Sequence, residues 1–308
     1  MLPSRRQLIH AAAASTAWLS TKRLRANPLG LPIGLQLWTV REELQKDFDA
    51  TLRKISDIGY REVELFELPV PNRQYRKKRF SDAGLTPVSG HFYLDEFKNQ
   101  ATIDAASELG LKYMIVVFPT LRSLSGREVS KMKFEDLVPL YERITLDDYK
   151  WNAEQFNRLG QTLQKSGLQL GYHNHAVDLK RFGNAIGLDT LIESTDPRYV
   201  TFEMDCGHVI HAGRDPITYL KKYSTRIELL HLKDLKPGFE PSTSLDTELK
   251  GTNTEIGAGA IDWKQLFSVA KQAGHVKHYF VEHEGKMDHP PFEAIQLSYD
   301  YLHQLDKK

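Results

Sequence analysis

YVTFEMDCGHVIH, residues Tyr199–His211, alternates cleanly through its first half. Side chains of a strand point to opposite faces in turn. Val200, Phe202 and Met204 therefore share an apolar face that needs helices over it, and Thr201, Glu203 and Asp205 share the other. An unpaired buried carboxylate is very costly, so that second face must look into something polar. Asp205 is followed by Cys206, Gly207 and His208. A carboxylate and an imidazole at the exit of a buried strand suggest a metal or catalytic site. The competing reading is that Asp205 simply caps the next helix.

Strand and helix patterns alternate on both sides of this segment. Strands are expected at 33–38, 61–66, 85–91, 112–118, 168–175, 199–205, 226–234 and 278–284. Helices are expected at 48–58, 70–83, 103–109, 147–166, 186–194, 215–223, 262–274 and 291–305. Gly59, Gly84, Gly110 and Gly167 supply helix stops. Residues 119–146 read as a long loop with a short helix, and 235–260 as a second long loop. Repeated βα units argue for a parallel sheet, and eight of them fit an α/β protein of the (β/α)8 TIM barrel type. An open doubly wound sheet is the alternative; no G-x-G-x-x-G follows the first strand to support it.

Composition is that of an ordinary globular protein: 308 residues, 41% hydrophobic and 26% charged. No apolar run is long enough to span a membrane. The net charge of +1 hides an asymmetry. Residues 1–27 carry Arg5, Arg6, Lys22, Arg23 and Arg25 and no acid; without those five bases, 36 Lys+Arg stand against 40 Asp+Glu, a balance of −4. A nucleic-acid binder would carry a basic surplus instead. The start, SRRQLIHAAAASTAWLS, has the outline of a twin-Arg export signal, with 28–308 as the catalytic barrel and the bacterial periplasm as destination. Cys206 is the only cysteine, so no internal disulfide can form.

TIM-barrel active sites lie at the C-terminal ends of the strands. The polar residues expected there are Trp38, Glu64, His91, His173, His175, Asp205, His208, His231, Lys233 and Glu282. The last four strands end in metal-ligand types, His173, Asp205, His231 and Glu282. Strand phase supports them: Leu168, Leu170 and Tyr172 face the helices, so His173 and His175 face inward; Tyr279 and Val281 face outward, so Glu282 faces inward. Such N/O ligands suit Mn²⁺, Zn²⁺, Co²⁺ or Mg²⁺ without choosing among them.

The motifs IGLQLWTVRE, IGYREVELF, GYHNH, MDCGH, LLHLKD and YFVEHE, in this order and spacing, resemble the xylose-isomerase-like TIM barrels over about 31–305. This is the sugar phosphate isomerase/epimerase group, which includes ketose epimerases and inosose dehydratase. The resemblance implies one divalent metal on Asp205, His231 and Glu282. The family usually has Glu where this chain has His173. Its epimerases use two metal-bound glutamates as bases on opposite faces of the substrate carbon, so the change weakens a symmetric epimerisation while leaving His173 able to ligate.

The expected chemistry is a sugar isomerase or epimerase that abstracts a proton next to a carbonyl through an enediolate held by the metal. Glu282 is the first candidate base. His175, which as an exposed imidazole would titrate near neutral pH, or His208 returns the proton, and Lys233 binds a substrate oxygen or is a solvated rim residue. His91 and Trp38 are expected to line the sugar pocket, Trp38 by stacking; Glu64 serves the site or pairs with a core Arg. The close alternative is a lyase that completes the same enolisation by β-elimination from a keto-sugar or 3-keto-glycoside. A non-catalytic sugar-binding barrel and a nuclease of the endonuclease IV type fit less well. The first would not need Asp205, His231 and Glu282, and the second needs a basic face.

Overall fold

The computed structural model describes residues 27–67, 73–249, 253–285 and 287–305. The export-signal reading falls almost wholly on residues 1–26, outside the described residues. Eight parallel strands close into a barrel: β1 Gly34–Gln36, β2 Glu62–Leu65, β3 Thr86–Phe92, β4 Tyr113–Val116, β5 Gln169–His173, β6 Val200–Asp205, β7 Ile227–Leu232 and β8 His278–Val281. Each pairs with its neighbours in sequence, and β8 closes on β1 through Gly34 opposite Phe280. Among the described residues one principal helix follows each strand: α1 Phe48–Ile58, α2 Arg73–Asp82, α3 Gln100–Leu109, α4 Leu146–Leu163, α5 Gly187–Ser194, α6 Pro216–Lys222, α7 Trp263–Ala273 and α8 Pro291–Leu305.

Local sequence explains these elements. Asp47, Asn99, Thr145, Asp215 and Asp262 each accept a backbone N–H in the first turn of α1, α3, α4, α6 and α7, satisfying donors that a helix start leaves open. The outward apolar faces of the strands, such as Val200, Phe202 and Met204, are buried beneath the helices. Inside the barrel, Val88, Tyr113, Ile115, Leu229 and Phe280 form a separate apolar cluster. Gly34 makes room for it: a Cβ there would strike the Phe280 ring. The polar residues converge on the C-terminal side of this plug.

Three expectations are corrected. The strands are shorter than the patterns suggest. β1 stops at Gln36, and Leu37–Val40 turns into a 3-10 helix, so Trp38 is not a strand residue. β5 stops at His173; His175 opens a 3-10 turn, Ala176–Leu179. The segment 235–260 is not merely a loop: Asp234–Leu235 pairs antiparallel with Asn253–Thr254, and Leu245–Leu249 is helical. The 119–146 segment does contain a helix, Phe134–Tyr141. The two long segments meet: Glu142 Oε1 accepts from Ser244 Oγ at 2.7 Å and from the Leu245 N–H at 3.1 Å.

Candidate metal centre and active site

Strands β5 to β8 bring His173, Asp205, His231 and Glu282 together, one donor atom of each lying within 4.8 Å of the others. All four are buried. Asp205 caps a helix with one oxygen and leaves the other for the candidate centre. Its Oδ1 accepts the His208 backbone N–H at 2.8 Å, capping Cys206–His211, while the buried Oδ2 has no hydrogen-bond partner. Lys233 Nζ stands 3.1 Å from Oδ2 as an ion-pair contact without hydrogen-bond alignment. Asn174 Oδ1 accepts the Asp205 backbone N–H at 3.1 Å and holds the strand end in place.

This arrangement fits a divalent cation. Two imidazole nitrogens, a carboxylate oxygen without a hydrogen bond and a second carboxylate converge in a buried volume. Burial, reinforced by the Glu282 charge, holds Asp205 above its ordinary pKa despite Lys233. A cation at this point would offset that cost. Two other groupings meet the same spacing: His91, His173, Glu203 and His231; and His173, His175 and His208.

Lys233 is not a solvated rim residue. It is 1% exposed, and its Nζ lies 2.8 Å from His208 Nε2, 2.9 Å from Glu282 Oε2 and 2.7 Å from Glu284 Oε2. Burial opposes its charge, but Asp205, Glu282 and Glu284 together push its pKa well above the ordinary value. Burial likewise opposes ionisation of Glu282, and Lys233 and His231 outweigh it, holding that carboxyl well below its ordinary range. Glu282 is therefore an ionised base facing an ammonium group.

Glu64 takes the first of its two expected places, beside the site, and His91 lies against it. Among the described residues Glu64 pairs with no arginine; its Oε2 meets His231 Nε2 at 2.5 Å and His91 Nε2 at 3.1 Å, and accepts from Gln36 Nε2 at 2.9 Å. His91 is turned towards carboxylates, its Nε2 3.1 Å from both Glu64 Oε2 and Glu203 Oε2. Burial disfavours its charge, but Glu64 and Glu203 raise its pKa to about 10. His175 stacks on Phe118 at 3.9 Å and on His208 at 4.6 Å between ring centroids. Burial and the Lys233 charge push its pKa well below the ordinary value, so it is a neutral imidazole rather than a group titrating near pH 7. Trp38 is 38% exposed. It sits edge-on to Phe66 at 5.5 Å, with the Arg41 guanidinium 4.3 Å over its ring.

Two participants are absent from the strand-end selection. Glu203 lies two residues before Asp205 on the same inward face, and Glu284 lies two after Glu282. Alternation had already placed Glu203 on the polar face; choosing only the last residue of each strand passed over it.

The closed barrel thus carries a candidate carboxylate–histidine metal centre at the C-terminal ends of its strands, the place where TIM-barrel active sites lie. The family model for the xylose isomerase-like TIM barrel matches residues 52–305, and the chain belongs to that family. An inosose dehydratase of Geobacillus thermodenitrificans is 30% identical over 227 residues, 68% of this chain and 72% of the relative. Clostridial inosose dehydratases match over 52–55% of their own length. Among solved structures, a sugar phosphate isomerase/epimerase of Parabacteroides distasonis has a TM-score of 0.70 at 25% identity, covering 89% of this chain and 94% of that one. The 3-keto-D-glucoside 4-epimerase of E. coli has a TM-score of 0.61 at 17% identity, covering 90% and 100%, a likeness of fold alone. Among the described residues no helix is long and apolar enough to cross a membrane.

Proposed function

We propose that the protein is a divalent-metal-dependent lyase that dehydrates a keto-sugar or a cyclic keto-polyol by abstraction of the proton next to the carbonyl and β-elimination. One observation carries the choice of lyase over epimerase: the Glu282 carboxylate is 2.9 Å from the Lys233 ammonium, while the ligand from β5 is His173 rather than a second carboxylate. The site thus offers one base with one acid beside it, where a symmetric epimerisation needs bases on opposite faces of one carbon. The similarity to inosose dehydratase points the same way.

The cation, held by His173, Asp205, His231 and Glu282, would polarise the substrate carbonyl and acidify the adjacent C–H. Glu282 takes that proton. The electron pair left behind forms the carbon–carbon double bond and expels the β-hydroxyl. Lys233, hydrogen-bonded to His208, protonates that hydroxyl, which departs as water. The proton on Glu282 then crosses to Lys233 and restores both groups. His175, neutral and stacked on His208, shapes the wall beside the acid. Trp38 remains the candidate stacking surface for the substrate at the mouth.

Proton NMR in D₂O with Mn²⁺ and a panel of inososes, keto-sugars and 3-keto-glycosides tests the reading. Loss of water is expected, with one deuterium entering at the former β-carbon as the enol product takes a solvent deuteron and ketonises. Deuterium incorporation with inversion and no loss of water would favour the isomerase/epimerase reading, which the 25%-identical solved structure supports. No exchange with any ketone would leave a sugar-binding barrel. From the twin arginines of residues 5–6 we also infer export, checked by whether the mature protein in cells lacks its first residues.

A further inference from the structure

Glu203 is fully buried on β6, one layer of side chains deeper than Asp205. Three imidazoles meet its Oε2: His91 Nε2 at 3.1 Å, His173 Nδ1 at 3.3 Å and His231 Nε2 at 3.3 Å. The remaining nitrogens of His173 and His231 point the other way. His173 Nε2 lies 4.0 Å from Asp205 Oδ2. His231 Nδ1 lies 3.1 Å from Glu282 Oε2 and 3.8 Å from Asp205 Oδ2. Each ring therefore has one nitrogen towards the candidate cation position and one towards a deeper carboxylate.

A histidine binds a metal through a lone pair, so its single proton must sit on the far nitrogen. In a dry interior that N–H needs an acceptor. For His231 the nearer acceptor is Glu64 at 2.5 Å. For His173, Glu203 is the partner on the Nδ1 side. We propose that Glu203 is a positioning residue that fixes His173 as the Nδ1–H tautomer and so makes its Nε2 available to the metal, with Glu64 doing the same for His231. His91, its Nε2 3.1 Å from both carboxylates, links the two beneath the centre. This explains how His173 serves at a position where a carboxylate would need no such support. The inference rests on the metal reading of the centre, but not on which reaction follows.

Side-chain ¹⁵N–¹H NMR of the metal-free protein reads the tautomer directly, with His173 assigned through a His173→Gln variant. The Nδ1–H form is expected in the wild type and a mixture in Glu203→Gln. Titration with Mn²⁺ or Zn²⁺ against a chelator should show one ion per chain in both proteins, bound about 10- to 100-fold more weakly in Glu203→Gln. Glu62→Gln is the control for a generic buried Glu–His contact: Glu62 Oε2 meets His278 Nδ1 at 2.7 Å at the opposite ends of β2 and β8 from the centre. That variant should leave metal affinity unchanged. An Nε2–H tautomer of His173 in the wild type overturns the proposal even if Glu203→Gln does not fold. So does unchanged affinity in a folded Glu203→Gln, or two ions per chain falling to one, which would make Glu203 a ligand of a second ion. Failure of the wild type to bind any divalent metal would instead remove the metal reading itself.

Discussion

Lys233 Nζ lies 2.8 Å from His208 Nε2, so a buried ammonium donates to an imidazole nitrogen that also stands 3.6 Å from Asp205 Oδ2 and 3.8 Å from Glu284 Oε2. His208 is accordingly kept neutral, by burial and then by the Lys233 charge, with its pKa well below the ordinary value. Lys233→Met should lower turnover by about 10²-fold or more, the usual worth of a positioned acid. Metal binding should persist, because Lys233 is not among the four ligands. In the metal-free state the variant leaves Asp205, Glu282 and Glu284 without their common counter-ion, a loss of about 3–5 kcal/mol. Steady-state rates, metal content and urea unfolding of metal-free samples give the three readouts; an active variant excludes Lys233 as the acid.

Removing ligands should remove metal. Asp205→Ala combined with His231→Ala takes away the carboxylate oxygen that has no hydrogen bond and one imidazole. Elemental analysis after dialysis against Mn²⁺ should find the wild type loaded and the double variant empty. Full retention would show that the ion binds elsewhere.

Asp234, next to Lys233, is a structural carboxylate rather than a ligand. It accepts from Trp263 Nε1 at 2.7 Å and from the backbone N–H groups of Gly257, Gly259 and Ile261 at 3.0–3.2 Å. Gly259 is confined there, since a Cβ would collide with Asp234 itself. Hydrogen bonds to a charged group are worth about 1.5–3 kcal/mol each. Asp234→Ala should destabilise by about 3–5 kcal/mol, seen as a lower urea midpoint. A drop below 1 kcal/mol would mean that the 253–261 segment holds itself in place.

Asp178 sets a pH dependence of stability. It accepts from Tyr149 OH at 2.9 Å, from Tyr172 OH at 2.8 Å and from the His175 backbone N–H at 2.8 Å. Burial nevertheless dominates and raises its pKa from 3.8 to about 6. The folded state thus holds this proton more tightly than the unfolded one. The contribution is fully present below about pH 4 and is lost as pH rises through about 6. Relative to Asp178→Asn, which has no carboxyl to ionise, the wild type should lose about 3 kcal/mol between pH 4 and pH 8. Urea unfolding of both proteins across that range checks it; parallel curves would refute it.

A chain beginning at Asn27 should fold, whereas one beginning after Leu31 should be weakened. Asn27 Oδ1 meets His303 Nδ1 at 2.9 Å, and the carbonyls of Pro28 and Leu31 accept from Tyr279 OH at 3.1 and 3.3 Å. Thermal unfolding of the two truncations distinguishes them.

The sequence determined the barrel and placed four ligand-type residues at its strand ends, because both follow from period and order. Two-residue alternation sorted Val200, Phe202 and Met204 from Glu203 and Asp205. Eight βα repeats admit few closed solutions, and inward phase at four successive strand ends named His173, Asp205, His231 and Glu282 without any coordinates. Distances across the barrel were beyond it. Phase says that a side chain enters the interior, not which neighbour from a strand 100 residues away it meets there. Only the closed sheet brought Glu64, His91 and Glu203 onto the same imidazoles, buried Lys233 between Glu282 and Glu284, and gave the two oxygens of Asp205 separate tasks. Those contacts depend on strand length and register, which cooperative packing of the barrel fixes and local pattern does not; that is also why His175 and Trp38 lie in turns beyond the strands that their alternation suggested.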